Sequence, residues 1–342
     1  MKYNSKMRQE ISGIPDTVSK LLDSNNSSLD QLVNLINEQK PHFIITVARG
    51  SSDHVALFLK YLIELKLGIP VMTLGPSVVS IYNARLSLKN ALCFAISQSG
   101  QSPDILSVVE HANEQGCVTA AITNNPNSPL AEKSKYLISI FAGVEESVAA
   151  TKTFINSLVV GLLFTAKVNQ DQELIHAVRQ LPKVLEKATE IKWLQLQEEL
   201  LKCSEVYTLG RGLSHGVSNE ASLKFIETCQ IHASSYSSAE VLHGPIELVQ
   251  ENYPVLSFIS RDAAEDSIVK LCENLAKKKV KVFGTSNKLL KANRLDFIET
   301  SHPFTDPISL ITSFYAFVES LSILKGRNPD QPESLCKVTK TI

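Results

Sequence analysis

The chain has 342 residues, and at about 100 to 200 residues per domain this length favours two domains over one. Its 34 Lys and Arg against 35 Asp and Glu give a formal net charge of -1, which removes the simplest electrostatic case for a nucleic-acid or anionic-membrane partner. Hydrophobic residues at 44% and charged residues at 20% exclude a disordered or fibrous chain.

The cysteines and apolar segments indicate the class of protein. No Cys-x-x-Cys pair and no His at metal-ligand spacing is present, so we expect neither a zinc site nor a disulfide framework. The first ten residues (MKYNSKMRQE) lack the apolar segment of a secretory signal. The longest apolar run, Phe154 to Ala166, has 13 residues, whereas a membrane-spanning helix needs roughly 20. We therefore expect a soluble cytoplasmic protein with no membrane partner.

Strand-like segments recur along the chain at a nearly constant offset. In the first half they are Phe43 to Asp53, Leu92 to Ser97 and Val118 to Thr123, and in the second half Val206 to His215, Val255 to Ser260 and Val280 to Thr285. Equivalent positions lie 162 or 163 residues apart, as Arg49 and Arg211 do. Three such anchors in the same order predict two copies of one structural unit.

Helical patterns separate the strand-like segments. Residues His54 to Leu67 carry a broad apolar face, and Ser102-Pro103-Asp104 has the residue types of an N-cap, a first helical proline and an acidic first turn. This second helix is predicted to run to about Gln115, with Gly116 as its stop. Strands alternating with helices predict an α/β fold of two tandem αβα sandwich domains, Rossmann-like or flavodoxin-like, with parallel sheets.

The predicted organisation of the chain has five parts, because residues 171 to 200 read as helical rather than as a linker. The parts are an N-terminal helical arm (1–27), a first αβα domain (28–170), a helical connector (171–199), a second αβα domain (200–328) and a C-terminal tail (329–342). Because ligands of parallel sheets bind beyond the carboxyl ends of the strands, the loops at those ends are the candidate sites.

A serine-rich loop, Ser97-Gln98-Ser99-Gly100-Gln101-Ser102, joins the second strand-like segment to the capped helix. It supplies three hydroxyls, allows a close backbone approach at Gly100, and leads into a helix N-terminus that favours negative charge. It is therefore a candidate for a dianionic phosphate, although a turn whose hydroxyls only cap the helix fits equally well. The equivalent loop at 260–266 carries acids, so we expect any phosphate in the first copy alone.

A charged stripe lies on the helix predicted after Arg211-Gly212. Glu220, Lys224 and Glu227 are spaced i, i+4 and i+7, which places them within about 60° of one helical face. The residues predicted on the other side are Ala221, Phe225, Ile226 and Cys229. The stripe is either a solvated face stabilised by a Glu–Lys pair or the wall of a cleft in which the lysine tunes the acids for proton transfer.

Two further residues are candidates on weaker grounds. His243 lies in a turn-forming His-Gly-Pro sequence close to Glu240, where it could act as an acid or base, although a lone histidine is more often structural or merely exposed. Lys337 lies in the polar tail after Pro329 and Pro332, and its position alone predicts nothing.

Six motifs in a fixed order resemble the sugar isomerase (SIS) double-domain family. They are RGSS at 49–52, SQSGQS at 97–102, SVAATKTF at 147–154, GRG at 210–212 followed by the E-x-x-x-K-x-x-E helix, SAEVLHGP at 238–245 and DQPESLCKVT at 330–339. The resemblance covers roughly residue 28 to the C-terminus. The family includes the isomerase half of glucosamine-6-phosphate synthase and stand-alone glucosamine-6-phosphate deaminases.

The resemblance implies a substrate pocket formed by residues of the first copy and of the C-terminal tail. Its implied substrate-binding residues are Ser51, Ser52, Ser97, Gln98, Ser99, Ser102, Val148 and Cys336. The serine loop would hold the sugar phosphate, the turn containing Ser52 would touch the sugar, and backbone at Val148 and Cys336 would complete the pocket.

The resemblance also implies catalytic roles. Glu227 would shuttle the proton between C1 and C2 with the support of Glu220 and Lys224, and Lys337 would lie near the open-chain carbonyl. His243 would open the pyranose ring and come from the neighbouring subunit, which implies a homodimer. The reaction needs an acid–base pair and a phosphate anchor but no metal, nicotinamide or other cofactor.

The expected activity is hydrolytic deamination of glucosamine 6-phosphate to fructose 6-phosphate and ammonia. Its direction rests on the absence of the synthase's N-terminal nucleophilic cysteine, since no cysteine precedes Cys93. The resemblance does not settle which sugar is the substrate, because Gln101 and Ser102 replace Glu-Thr of the synthase pattern and Ala150 replaces a serine. Alternatives are galactosamine 6-phosphate, a glycated-amine phosphate as in the related deglycases, simple aldose–ketose isomerisation and, in a different class, a non-catalytic sugar-phosphate sensor.

Overall fold

The computed structural model of the protein describes residues 5–24 and 27–337. These residues form two compact units, each built on one sheet. The first-sheet unit comprises residues 16–24, 27–145, 152–179 and 336–337. The second-sheet unit comprises residues 5–15, 146–151 and 180–335.

The described residues contain thirteen α-helices. They are α1 (Lys6–Ser12), α2 (Ile14–Asp23), α3 (Ser27–Gln39), α4 (Ser51–Leu67), α5 (Ser77–Ser80), α6 (Pro103–Glu114), α7 (Pro129–Lys133), α8 (Lys152–Val168), α9 (Gln172–Ala188), α10 (Leu194–Leu200), α11 (Leu213–Cys229), α12 (Glu265–Lys277) and α13 (Asp306–Leu324). The predicted helix after Ser102 thus begins at Pro103 and ends before Gln115, within one residue of the expected bounds.

The first-sheet unit contains five parallel strands in the order β2-β1-β3-β4-β5. The strands are β1 (Phe43–Val47), β2 (Val71–Thr73), β3 (Ala91–Ile96), β4 (Val118–Thr123) and β5 (Tyr136–Ser139). The central strands are buried on both faces, because helices cover the sheet on each side. This double burial explains why they read in sequence as nearly continuous apolar runs.

The helices of the first-sheet unit pack closely on the sheet and on one another. On one side α6 packs against β3 and β4, and its Val108 and Val109 belong to the buried core there. On the other side α4 contacts α8, where a Cβ added at Gly161 would lie 2.2 Å from the Leu59 Cδ2. A larger residue at this position would force the Leu59 side chain to move.

The second-sheet unit repeats the same topology, with strand order β10-β9-β8-β6-β7. Its strands are β6 (Glu205–Gly210), β7 (His232–Ser237), β8 (Pro254–Ser257), β9 (Lys281–Gly284) and β10 (Asn293–Arg294). All pairs are parallel, and β6 to β10 correspond in order to β1 to β5. The prediction of an α/β fold with two copies of one unit is thereby confirmed.

Helices α11 and α13 form one face of the second-sheet unit. They pack together, with the rings of Phe225 and Phe314 5.1 Å apart in an edge-on arrangement. By length and composition alone, one helical stretch of the described chain, Pro303–Leu324, is apolar enough to cross a membrane. Since 83% of its apolar window is buried inside the protein, it is a core helix of this unit.

Candidate active site

The first-sheet unit brings two predicted substrate-binding segments to one edge of its sheet. β1 and β3 are neighbours at the point where the strand order reverses, and α4 and α6 begin just beyond their carboxyl ends. In parallel sheets this switch point is where ligands bind. Across it, the Arg49 Nε donates a hydrogen bond to the Asp104 Oδ2 at 2.8 Å. The turn carrying Ser51 and Ser52 is thus tied to the helix that follows the serine loop.

The serine loop presents several polar groups at the start of α6. The Ser97 hydroxyl oxygen accepts a hydrogen bond from the Gly100 N–H at 3.1 Å. Ser102 occupies the N-cap position of α6 as predicted, but its hydroxyl makes no capping hydrogen bond. Gln98, Ser99 and Ser102 are half-buried, which leaves their side chains reachable from solvent next to a helix N-terminus.

Gly100 has a structural role that the sequence did not identify. Its φ of +64° lies in the left-handed region, and a Cβ at this position would lie 2.1 Å from the Ser128 Oγ. The close approach predicted at Gly100 is therefore to Ser128, the N-cap residue of α7, and it is explained without a ligand.

The equivalent loop of the second-sheet unit is crowded with negative charge. The Arg261 Nε donates to the Asp306 Oδ2 at 2.9 Å, so this guanidinium is already held by a carboxylate. Burial, which is the largest cause, and the negative charges of Asp306 and Glu265 raise the pKa of Asp262 above its ordinary value. A second phosphate would meet these acids, which agrees with the expectation that the first copy alone holds an anion.

The charged stripe on α11 is buried, so its interpretation as a solvated face is wrong. The side chains of Glu220 and Lys224 have no exposed surface, and that of Glu227 is 17% exposed. The Lys224 Nζ lies 3.1 Å from the Glu220 Oε1 and 2.5 Å from the Glu227 Oε2. The physical reason is α13, which packs over α11, and from which the Tyr315 hydroxyl donates to the Glu220 Oε1 at 3.1 Å.

One residue predicted on the apolar side of α11 is also placed differently. Ile226 is 47% exposed, whereas Ala221, Phe225 and Cys229 are buried as expected. The helix is thus buried around most of its circumference, and the charged groups lie inside rather than outside.

The charge state of Lys224 follows from its neighbours. Burial by itself lowers the pKa of Lys224, but the charges of Glu220 and Glu227 and their hydrogen bonds outweigh it and hold that pKa above its ordinary value. Lys224 is therefore an ammonium between two carboxylates, and Glu227 is the member of the group that reaches solvent. A carboxylate held in this way can take and return a proton at a substrate carbon.

His243 is not a member of this buried group. It follows a short 3₁₀ turn at Glu240–Leu242 and is exposed, and within the described chain its imidazole makes no hydrogen bond to the α11 group. The Tyr207 hydroxyl donates to the Pro245 carbonyl at 3.3 Å, which fixes the base of this loop. Leu248 nearby is 65% exposed, so the loop presents apolar as well as polar surface.

The remaining predicted residues lie in the loop before α8 and in the tail. The Val148 N–H donates to the Asp330 carbonyl at 3.1 Å, and Cys336 is exposed. The Lys337 Nζ lies 3.0 Å from the Oε2 of Glu145, a fully buried carboxylate that sequence reasoning missed. Tyr315 was missed for the same reason: each touches a predicted residue far away in the sequence, and no local pattern marks it.

The polar groups at these loops suit a sugar phosphate better than a metal ion. Hydroxyls, an amide and a helix N-terminus bind an oxyanion without a cation. Within residues 5–24 and 27–337, no three His, Cys, Asp or Glu side chains are grouped as metal ligands.

A comparison with known families agrees with this geometry. The family model described as SIS domain matches residues 37–167 and 199–324, one match on each sheet-containing half of the chain. The chain belongs to the SIS domain family. The two matches confirm the resemblance drawn from the six motifs and from the repeated strand order.

A curated protein aligns with almost the whole chain. It is 32% identical over 341 residues to the glutamine–fructose-6-phosphate aminotransferase (isomerizing) of Sulfolobus acidocaldarius, an alignment that covers 98% of this chain and 56% of that protein. The chain thus spans about half the length of the curated relatives it matches.

Two solved structures are similar over nearly the whole chain. One is described as a candidate phosphosugar isomerase from Silicibacter pomeroyi, with 47% identity and a TM-score of 0.92, covering 95% of this chain and 100% of that one. The other is the C-terminal domain of glucosamine-fructose-6-phosphate aminotransferase from Francisella tularensis, with 27% identity and a TM-score of 0.84, covering 97% of this chain and 99% of that one.

Proposed function

We propose that this protein isomerises an amino-sugar phosphate at C1 and C2, converting glucosamine 6-phosphate and water into fructose 6-phosphate and ammonia. The observation that carries the proposal is the buried α11 group, in which Lys224 bridges Glu220 and Glu227 and only the Glu227 carboxylate reaches solvent. The name of the aligned aminotransferase, which acts on fructose 6-phosphate, supports a sugar phosphate of this kind as substrate.

The proposed reaction needs an anchor and a proton shuttle. Ser97, Gln98, Ser99 and Ser102 hold the phosphate at the N-terminus of α6, and Ser52 meets the sugar. Most of the binding energy then comes from a part of the substrate that does not react, which positions C1 and C2 for proton transfer.

The chemical steps conserve atoms and charge. His243 opens the pyranose ring, which exposes the C1 aldehyde, and Lys337 lies near that carbonyl. Glu227 removes the proton from C2 and a proton is returned to C1, which converts the 2-amino aldose into a ketose imine. Water adds to the imine carbon, the C2–N bond breaks, and fructose 6-phosphate and ammonia leave.

The proposal includes a dimer in which each site uses His243 of a neighbouring copy. The support is that His243 is exposed and hydrogen-bonds to none of the α11 group within the described chain. Leu242 and Leu248 flank it with 53% and 65% exposure, and such side chains lose contact with water when a second copy covers them.

The test is to incubate the purified protein with glucosamine 6-phosphate and to measure ammonia and fructose 6-phosphate. We expect the two products in equal amounts, and Glu227→Gln should lower kcat about 100-fold or more while a sugar phosphate still binds. No ammonia at substrate concentrations well above millimolar would contradict the proposal.

A substrate panel separates the alternatives within the class. Galactosamine 6-phosphate, fructosamine 6-phosphate and glucose 6-phosphate should each be converted more slowly than glucosamine 6-phosphate. Faster conversion of one of them would reassign the substrate. Tight binding of a sugar phosphate with no turnover of any would identify a sensor.

A further inference from the structure

Glu145 is a buried carboxylate whose orientation is set by α8. Its side chain has no exposed surface. The Oε1 accepts from the Thr153 N–H at 3.2 Å, and the Oε2 accepts from the Thr153 hydroxyl at 2.8 Å. Thr153 lies in the first turn of α8, where the helix dipole favours a negative charge. The carboxylate is thus held by a helix of the first-sheet unit rather than by the tail.

Lys337 is the tail residue that this carboxylate holds. The Lys337 Nζ donates to the Glu145 Oε2 at 3.0 Å, and the lysine side chain is 25% exposed. A charge-assisted hydrogen bond to a buried acceptor fixes the end of a side chain that otherwise samples many rotamers. Both residues belong to the first-sheet unit.

Glu145 lies beside a groove that extends to the serine loop. Glu145 borders an open groove of about 710 Å³ together with Gln98 of that loop, and Asn124 and Phe141 also line it. This volume falls in the range of roughly 300 to 1,000 Å³ that small-molecule sites occupy. Glu145 and the loop that can hold a phosphate therefore border one groove within one unit.

We propose that Glu145 is a positioning residue that holds the Lys337 ammonium beside this groove, where it meets the carbonyl end of a sugar whose phosphate lies on the serine loop. The inference rests on the proposed function for its substrate. Glu145 does not touch the substrate in this proposal and acts through Lys337. The two side chains therefore form one functional unit, and removing either should remove the contribution of both.

The kinetic test is a double-mutant cycle of Glu145→Gln, Lys337→Met and the double variant, with kcat and KM measured for ammonia release. Each single change should lower kcat about tenfold or more with a much smaller change in KM. The double variant should match Lys337→Met within about twofold. A double variant whose loss equals the product of the two single losses would overturn the proposal.

The matched control is Glu146→Gln. Glu146 is the next residue, but its side chain is 58% exposed and pairs with Lys6 at the surface. Its kcat should stay within about twofold of wild type, because exposed ion pairs contribute little.

A second measurement tests whether Glu145 anchors Lys337, and it does not require catalytic turnover. Cys336 is exposed and adjacent to Lys337, so a trifluoromethyl thiol label can be placed there in a Cys203→Ser background. Burial raises the pKa of the remaining thiols and keeps them unreactive, namely Cys93, Cys117, Cys229 and Cys272. Glu145→Gln and Lys337→Met should both narrow the ¹⁹F line, because the tail loses its anchor.

The two measurements separate this proposal from the proposed function. If wild type converts none of the sugar phosphates but Glu145→Gln still narrows the ¹⁹F line, the function fails and the role of Glu145 as the anchor of Lys337 holds. An unchanged line width in Glu145→Gln overturns the positioning role even in an active enzyme.

Discussion

At the scale of single residues, the ammonium of Lys224 is the group on which the α11 cluster depends. It lies within 3.1 Å of Glu220 and 2.5 Å of Glu227, and it has no exposed surface. Lys224→Met should lower the free energy of unfolding by about 3 to 5 kcal/mol, because it leaves a buried carboxylate without its counter-charge. Urea denaturation measures this loss.

The matched control for Lys224→Met is Lys60→Met. Lys60 and Glu64 form a pair with the same four-residue separation, but both side chains are about one-third exposed. This change should cost roughly 1 kcal/mol or less. Equal losses in the two variants would show that burial adds nothing to the Lys224 pair.

The pH dependence of stability follows from the direction of the Lys224 pKa. The pKa of Lys224 in the folded protein lies above the ordinary value of 10.5, so the stabilisation is fully present below pH 10.5 and is lost as pH rises beyond it. The difference in unfolding free energy between wild type and Lys224→Met should therefore be constant at neutral pH and shrink only in alkali. A difference that already falls between pH 6 and 8 would contradict this assignment.

At the scale of elements, the serine loop keeps its shape through its contact with α7. Gly100→Ala should lower the free energy of unfolding by about 2 to 4 kcal/mol, since it adds a left-handed alanine and a clash with Ser128. Gly116→Ala is the control, because Gly116 also has a positive φ but open space around it, and it should cost about 1 kcal/mol. Thermal unfolding measures both losses. Equal losses of unfolding free energy in Gly100→Ala and Gly116→Ala would show that the contact with Ser128 contributes nothing.

The elements themselves were predictable because their signals are local. The six strand-like segments form strands, since doubly buried strands read as apolar runs, and α6 begins at the proline that marked it. The burial of Lys224 was not predictable, because it depends on α13, whose Tyr315 is 95 residues from Glu220. Glu145 was missed in the same way, since its bond to Lys337 spans 192 residues.

At the scale of the whole molecule, the proposed dimer makes a prediction about mixed subunits. If each site uses its own Glu227 and the His243 of its neighbour, Glu227→Gln and His243→Ala are each inactive alone. Refolding the two variants together in equal amounts should restore about one quarter of wild-type activity, because half the dimers are hybrids and each hybrid has one intact site. No recovery from dimers shown to exchange subunits would place His243 in the same subunit's site.

The central claim is that Glu227 moves a proton from C2 to C1 during deamination, and deuterium at C2 of glucosamine 6-phosphate tests it most directly. We expect every molecule of fructose 6-phosphate formed to have lost deuterium from C2, with part of the label at C1 in the wild-type product, and Glu227→Gln to form almost no product. Product formation by Glu227→Gln at the wild-type rate, with the same label transfer, would contradict the account.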